Sequence, residues 1–221
     1  MKSPGLLMSE IILGCLMGAL CGWHVPRLIE PWCQWHSRRI PISVITAALF
    51  GLMVVRITDF WAYLAFCVLC TGLIALTLID LRTHRLPREI SYATLGLGGP
   101  LLMVSAFISG DRERLLGLLL GAGGALAVMM VLYVVSRGGL GDGDVRLSPL
   151  LGAYLGWISP SAVVSGFLLS FILGAVVGVL LMIFDSANRK TALPFGPFLA
   201  VGTLVTIVLP PSTLSLLRGG L

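Results

Sequence analysis

The stretch SAVVSGFLLSFILGAVVGVLLMIF, Ser161 to Phe184, holds no charged residue and only three hydroxyl side chains. As a helix it would reach roughly 36 Å at 1.5 Å per residue, enough to cross a hydrocarbon core of about 30 Å. Seven further apolar stretches stand on either side of it, at about 5–23, 41–56, 61–79, 90–109, 115–135, 145–158 and 197–210. The whole chain has 221 residues, 57% of them hydrophobic, and a mean hydropathy of +1.00. A water-soluble core of this size cannot bury so much apolar surface. The expected fold is all-α, a polytopic membrane helix bundle of about eight transmembrane helices. No polar stretch exceeds about 18 residues, too few for a core of its own, so residues 1–221 read as one membrane-embedded domain.

Within that frame the sixth stretch is short, about 14 residues or roughly 21 Å of helix. It carries Gly152, Gly156 and Trp157, and is expected to cross a thinned region or to be partly re-entrant. The fourth is interrupted by Gly96, Gly98, Gly99 and Pro100, whereas Gly121, Gly123 and Gly124 in the fifth suit close helix approach. The N-terminal run from Gly5 to Trp23 lacks a good small-x-small cleavage site and contains Glu10, so a retained first helix is expected.

The formal net charge is +5. With the N-terminus outside, the inner loops hold Arg27, Arg38, Arg39, Arg82, Arg85, Arg88, Arg137, Arg146, Arg189 and Lys190, and the outer segments hold Lys2, Arg56, Arg112, Arg114 and Arg218. Cytoplasmic loops are enriched in Lys and Arg, which favours N-out and C-out. The basic balance is thereby accounted for by the membrane. No aromatic-basic module points to nucleic acid.

Of the five cysteines, Cys15, Cys21, Cys67 and Cys70 lie in apolar stretches and read as packing residues. Cys67 and Cys70 form a C-x-x-C without His or carboxylate neighbours. Cys33 and His36 alone cannot complete a four-ligand zinc site. No metal and no cofactor is expected.

The acids are few and placed unevenly. Asp80 closes the third stretch in LTLIDLRTHRLP, and Asp142 and Asp144 lie in GGLGDGDVRL, Gly138 to Leu147, just before the sixth. All three fall at the cytoplasmic border. Two carboxylates brought together from different helices cannot both ionise cheaply, so they share a proton. The ionised partner then takes a proton from attacking water while the other donates to the carbonyl oxygen. Glycines flanking Asp144 would let backbone and substrate strand come near it. Other roles stand beside this one: Asp80 as a cap or a partner of Arg82 or Arg85, and Asp142 and Asp144 as turn or N-cap residues. Ion-coupled transport is a further reading of such acids.

At these residues the chain resembles the type IV prepilin peptidases, membrane aspartyl proteases with a G-x-G-D motif. Gly141-Asp142-Gly143-Asp144 fits the motif, and VRLSPLLGAYLGW (Val145 to Trp157) resembles the helix that follows it. IDLRTHRLP (Ile79 to Pro87) resembles the segment with the family's first catalytic aspartate, seven residues before a proline. LPFGPFLAVG (Leu193 to Gly202) resembles a third segment, and together the three cover about 62–210. The resemblance implies that Asp80 and Asp144 are the catalytic pair and that Asp142 shapes the loop. Gly141, Gly143 and Pro87 are then loop-shaping or substrate-binding residues. Arg146, where the family often has Lys, would contact substrate, tune the pair or anchor to lipid.

The implied substrates are prepilins or pseudopilins, with a short basic leader ending in glycine before an apolar helix. The implied location is the inner, cytoplasmic membrane. Departures are equally specific. The loop 24–40, HVPRLIEPWCQWHSRRI, is short and lacks the two zinc-binding C-x-x-C pairs of many members, and Pro41 is followed by Val44 where a glutamate is common. Methyl transfer from S-adenosylmethionine, found in bifunctional members, is therefore not expected. Arg88 follows Pro87 where an acid or amide is usual. An ion- or proton-coupled transporter and a catalytically inactive assembly partner in a pilus or secretion machine are the rival functions.

Overall fold

The computed structural model describes residues 4–33, 39–137, 139–184 and 194–209. Lys2, His36, Arg38, Arg189, Lys190 and Arg218, used in the charge and ligand readings above, lie outside the described residues, as do Gly138 and Leu193 of the quoted motifs. Among the described residues the chain forms eight helices. They are α1 (Pro4–Leu28), α2 (Arg39–Arg56), α3 (Phe60–Thr83), α4 (Arg88–Ser109), α5 (Arg112–Ser136), α6 (Asp142–Ile158), α7 (Pro160–Phe184) and α8 (Gly196–Val208). Six of these, all but α6 and α8, are long and apolar enough to cross a membrane. At 17 and 13 residues, α6 and α8 reach roughly 26 and 20 Å.

Polar side chains cap two of the helices at their N-termini. Asp59 caps α3 by accepting from the Ala62 N–H at 2.8 Å, and Asp111 caps α5 by accepting from the Arg114 N–H at 3.1 Å. Such side-chain oxygens satisfy donors that the first turn leaves open. His84 ends α3 in the left-handed region at φ 52°, and Gly110 ends α4 at φ 67°. The glycines and Pro100 of α4 do not break it: the helix is continuous, and Gly98 leaves room for the Tyr154 hydroxyl, which donates to the Ala65 carbonyl at 3.0 Å.

At the centre of the bundle, side chains of α3 and α6 meet. Phe66 of α3 meets Tyr154 and Trp157 of α6 edge-on, with ring centroids 5.3 and 5.8 Å apart. α6 buries twelve of its 17 residues and packs on α4, α5, α7 and α8. It is thus one continuous helix packed inside the bundle. The faces that α1, α5 and α7 turn outward are apolar, including Leu16, Leu120, Val135, Val164 and Ile183, as a lipid boundary requires.

Glycine lets α5 and α6 touch backbone to backbone. Gly117 faces Gly156 and Gly121 faces Gly152, so that a Cβ on any of the four would strike the opposite main chain. Such small-residue seams replace the hydrophobic drive that lipid does not supply. Gly121 behaves as expected. Gly123 and Gly124 do not, because a Cβ on either meets nothing within 4 Å. They lie a fraction of a turn off the seam, where periodicity alone could not separate them from it.

Candidate active site

Both carboxylates of interest lie at the end of the bundle shared by the α3–α4 and α5–α6 connections. Asp80 occupies the last full turn of α3, where its main-chain carbonyl accepts the His84 N–H at 2.9 Å. The residue is 4% exposed. Its Oδ2 accepts the backbone N–H of Gly196, the first residue of α8, at 3.0 Å. The Asp80 side chain thus reaches across the bundle to α8, and the Leu-Arg-Thr-His turn that an Asp80 side-chain cap would close is closed by its main-chain carbonyl instead.

Asp144 is the third residue of α6, whose N-cap is Gly141 in extended conformation. Its N–H donates to the Gly141 carbonyl at 3.1 Å and the residue is 6% exposed. Burial, then the nearby charge of Asp80, pushes its carboxyl up to about 7, against the pull of the Gly141 backbone in the other direction. The two acids therefore share one electrostatic neighbourhood at this end of the bundle.

Asp142 goes elsewhere. It opens α6 with its side chain 60% exposed and pairs with Arg146 at 2.7 Å, one turn on. Arg146 is therefore engaged along the surface of α6. Gly141 and Gly143 are both places of close approach: a Cβ on Gly141 would sit 2.9 Å from Asp144 Oδ2, and one on Gly143 would sit 2.8 Å from Leu86 Cβ. Pro87 is buried and sets the extended residue from which α4 starts.

Two residues were not named from sequence. Gly196 lies inside the Pro-Phe-Gly-Pro segment, so the segment was visible but the contact was not. Leu86 lies between the two aspartate-bearing turns, its Cβ toward Gly143 and its Cδ2 toward Gly196. No pattern in a single sequence marks such a spacer. Beside it lies a cavity of about 550 Å³ lined by Trp32, Ile79, Thr83, Leu86 and Pro87, with Arg85 and Glu89 among its polar groups. Ile79 and Thr83 are near neighbours of Asp80 along α3, while Asp80 and Asp144 themselves are not among the residues that line the cavity. Among the described residues no three His, Cys, Asp or Glu side chains are grouped to hold a metal ion. Cys67 and Cys70 are buried as free thiols in the α3 core.

The arrangement brings two buried acids from separate helices to one end of the bundle, one of them with its carboxyl pushed up to about 7. The family model described as the type IV leader peptidase family matches residues 67–179, just over half of the chain and both aspartates. The chain belongs to the type IV leader peptidase family. Among curated members, the prepilin leader peptidase/N-methyltransferase of Aeromonas hydrophila is 31% identical over 200 residues, covering 84% of this chain and 66% of that protein. Proteins of the same name from Pseudomonas putida and Pseudomonas aeruginosa are 34% and 32% identical over 187 and 175 residues, covering 79% and 78% of this chain. The chain spans 59–66% of the length of these leader peptidase relatives. No solved structure matches it. The leader peptidase model ends before α8, so the Gly196 contact lies outside the matched region.

Proposed function

We propose that this chain is a membrane aspartyl endopeptidase that removes the leader from type IV prepilins or pseudopilins, with Asp80 and Asp144 as the reacting pair. The observation that carries the reading is the convergence of two buried carboxylates, from α3 and α6, at one end of a membrane bundle. One proton shared between them leaves one carboxylate to activate water and one carboxyl to protonate the carbonyl oxygen or, later, the leaving amine. The pair titrates as a unit, so neither residue is given a fixed role.

The substrate's apolar helix would lie in the bilayer beside the outward faces, with its leader in the aqueous phase, bringing the junction to the aspartates. This reading puts the site at the cytoplasmic border of the inner membrane, with the N-terminus outside, in keeping with the excess of Arg at that end. The reaction proposed is proteolysis alone, without cofactor. The relatives' name includes N-methyl transfer, but the short 24–40 loop and Val44 depart from the pattern associated with it.

Co-expression with a tagged prepilin tests this, with leader removal followed by gel shift at matched membrane levels. Asp80→Asn and Asp144→Asn should each lower cleavage on the order of 10²- to 10⁴-fold, the usual contribution of a positioned acid or base. Asp142→Asn should stay close to wild type. Cleavage surviving either of the first two changes would sink the aspartyl mechanism.

A further inference from the structure

We propose that Gly196 is a positioning residue: its N–H fixes the Asp80 carboxylate, and its bare Cα leaves the space that carboxylate occupies. The inference rests on reading Asp80 and Asp144 as the reacting pair. Three observations carry it.

The first is a donor with few alternatives. A helix leaves its first N–H groups without partners inside the helix. In α8 the N-cap, Phe195, makes no side-chain cap hydrogen bond. Pro197 has no N–H to give, and the N–H groups of Phe198 and Leu199 turn back to the Phe195 carbonyl at 3.0 and 3.2 Å. The Gly196 N–H goes to Asp80, 116 residues away in sequence. Asp80 thus caps α8 from another helix, and α8 in turn holds Asp80.

The second observation is space. A Cβ at position 196 would lie 2.7 Å from Asp80 Oδ2, 3.2 Å from its Cγ and 3.1 Å from Leu86 Cδ2. Real Cβ atoms do not approach to 2.7 Å, so the carboxylate would have to move. Leu86 Cδ2 stands beside the same position, so a methyl there crowds both side chains at once.

The third is anchorage. Phe195 stacks on Phe171 of α7 with centroids 5.2 Å apart and fills the space over Gly174. Gly202 sits against Gly166 and Ser170 of the same helix. The α7–α8 pair therefore presents the Gly196 N–H from a fixed support, and the reacting pair is complete only when α8 is docked.

The test uses the full chain in lipid nanodiscs and an infrared readout that needs no substrate. Carboxyl bands of Asp80 and Asp144 are assigned by their loss in Asp80→Asn and Asp144→Asn. Gly196→Ala is compared with Gly18→Ala, a packing control in which the new Cβ would crowd the Thr46 carbonyl oxygen at 2.6 Å in the α1–α2 seam. The Asp80 band should be displaced in Gly196→Ala and unmoved in Gly18→Ala. On a tagged prepilin, kcat should fall about 100-fold in Gly196→Ala with KM nearly unchanged, the cost of about 1 Å of misplacement. If Gly196→Ala does not fold, Gly196→Ala with Leu86→Ala repeats the test with one of the crowded contacts removed. An Asp80 band identical to wild type, a Gly18→Ala displacement as large, or full kcat despite a displaced band would each overturn the inference. A wild type that cleaves no prepilin, with the band displaced only in Gly196→Ala, would support Gly196 as the holder of Asp80 and count against the proposed proteolysis.

Discussion

Asp144 stands in the first turn of α6, where the partial positive charge of a helix N-terminus favours a carboxylate. Burial and the charge of Asp80 work against ionisation and win, so that its carboxyl is pushed up to about 7 from the ordinary 3.8. Asp144 precedes the apolar part of α6 and lies outside the six candidate spans. Two consequences follow in opposite directions of experiment. Cleavage that needs a proton on the pair should decline as pH rises through about 7, and Asp142→Asn, an exposed ion-pair partner, should leave that midpoint in place. Replacing Asp80 by Asn removes the neighbouring charge, so the Asp144 carboxyl signal should titrate at lower pH; an unchanged midpoint would mean that the acids do not interact. The folded pKa lies above the unfolded one, so the native state binds more protons and stability is lost as pH rises from about 4 to about 7. The thermal midpoint of Asp144→Asn should lack that decline relative to wild type. The sequence carried both aspartates because a charge amid apolar runs is conspicuous. It did not carry Gly196 or Leu86, which matter through a main-chain N–H and a contact between distant turns.

The glycine seam decides where α6 can sit, and with it where Asp144 can sit. Gly152→Ala would place a methyl against the Gly121 carbonyl and 2.5 Å from Ala125 Cβ, with no flexible side chain to give way. Overpacking of this kind costs about 1–3 kcal/mol. The thermal midpoint in detergent should fall, and cleavage should fall with it as α6 is pushed off α5. Gly123→Ala and Gly124→Ala meet open space and should leave the midpoint unchanged or slightly higher, because alanine has the better helix propensity by about 0.5–1 kcal/mol. Equal destabilisation by all three would show that α5 is rotated relative to the seam described above. The helices themselves were legible, since an uninterrupted apolar run of this length permits few other structures in lipid. Their ends shifted by a few residues because caps such as Gly141 and His84 act through backbone conformation. The continuity of α4 through Pro100 was not legible, as a proline in a helix is tolerated or not according to what neighbours satisfy the freed carbonyl.

Charge gives the molecule its two ends. The end bearing the aspartates also carries Arg27, Arg39, Arg82, Arg85, Arg88, Arg137 and Arg146, whereas the opposite end carries Arg56, Arg112 and Arg114 among the described residues. Arg114 is further drawn inward, its Nε 2.9 Å from Asp111 and its guanidinium 4.5 Å over the Trp157 ring. Carrying Arg and Lys across the membrane is disfavoured, and the end with the excess stays in the cytoplasm. In a cysteine-free background, Arg56→Cys and Arg112→Cys should therefore react with an impermeant maleimide in intact spheroplasts. Arg85→Cys and Arg137→Cys should react only after lysis. The reverse pattern would put Asp80 and Asp144 on the outer face. A prepilin leader held in the cytoplasm could then never reach them, and the proposed reaction would fail on geometry even with both carboxylates correctly paired.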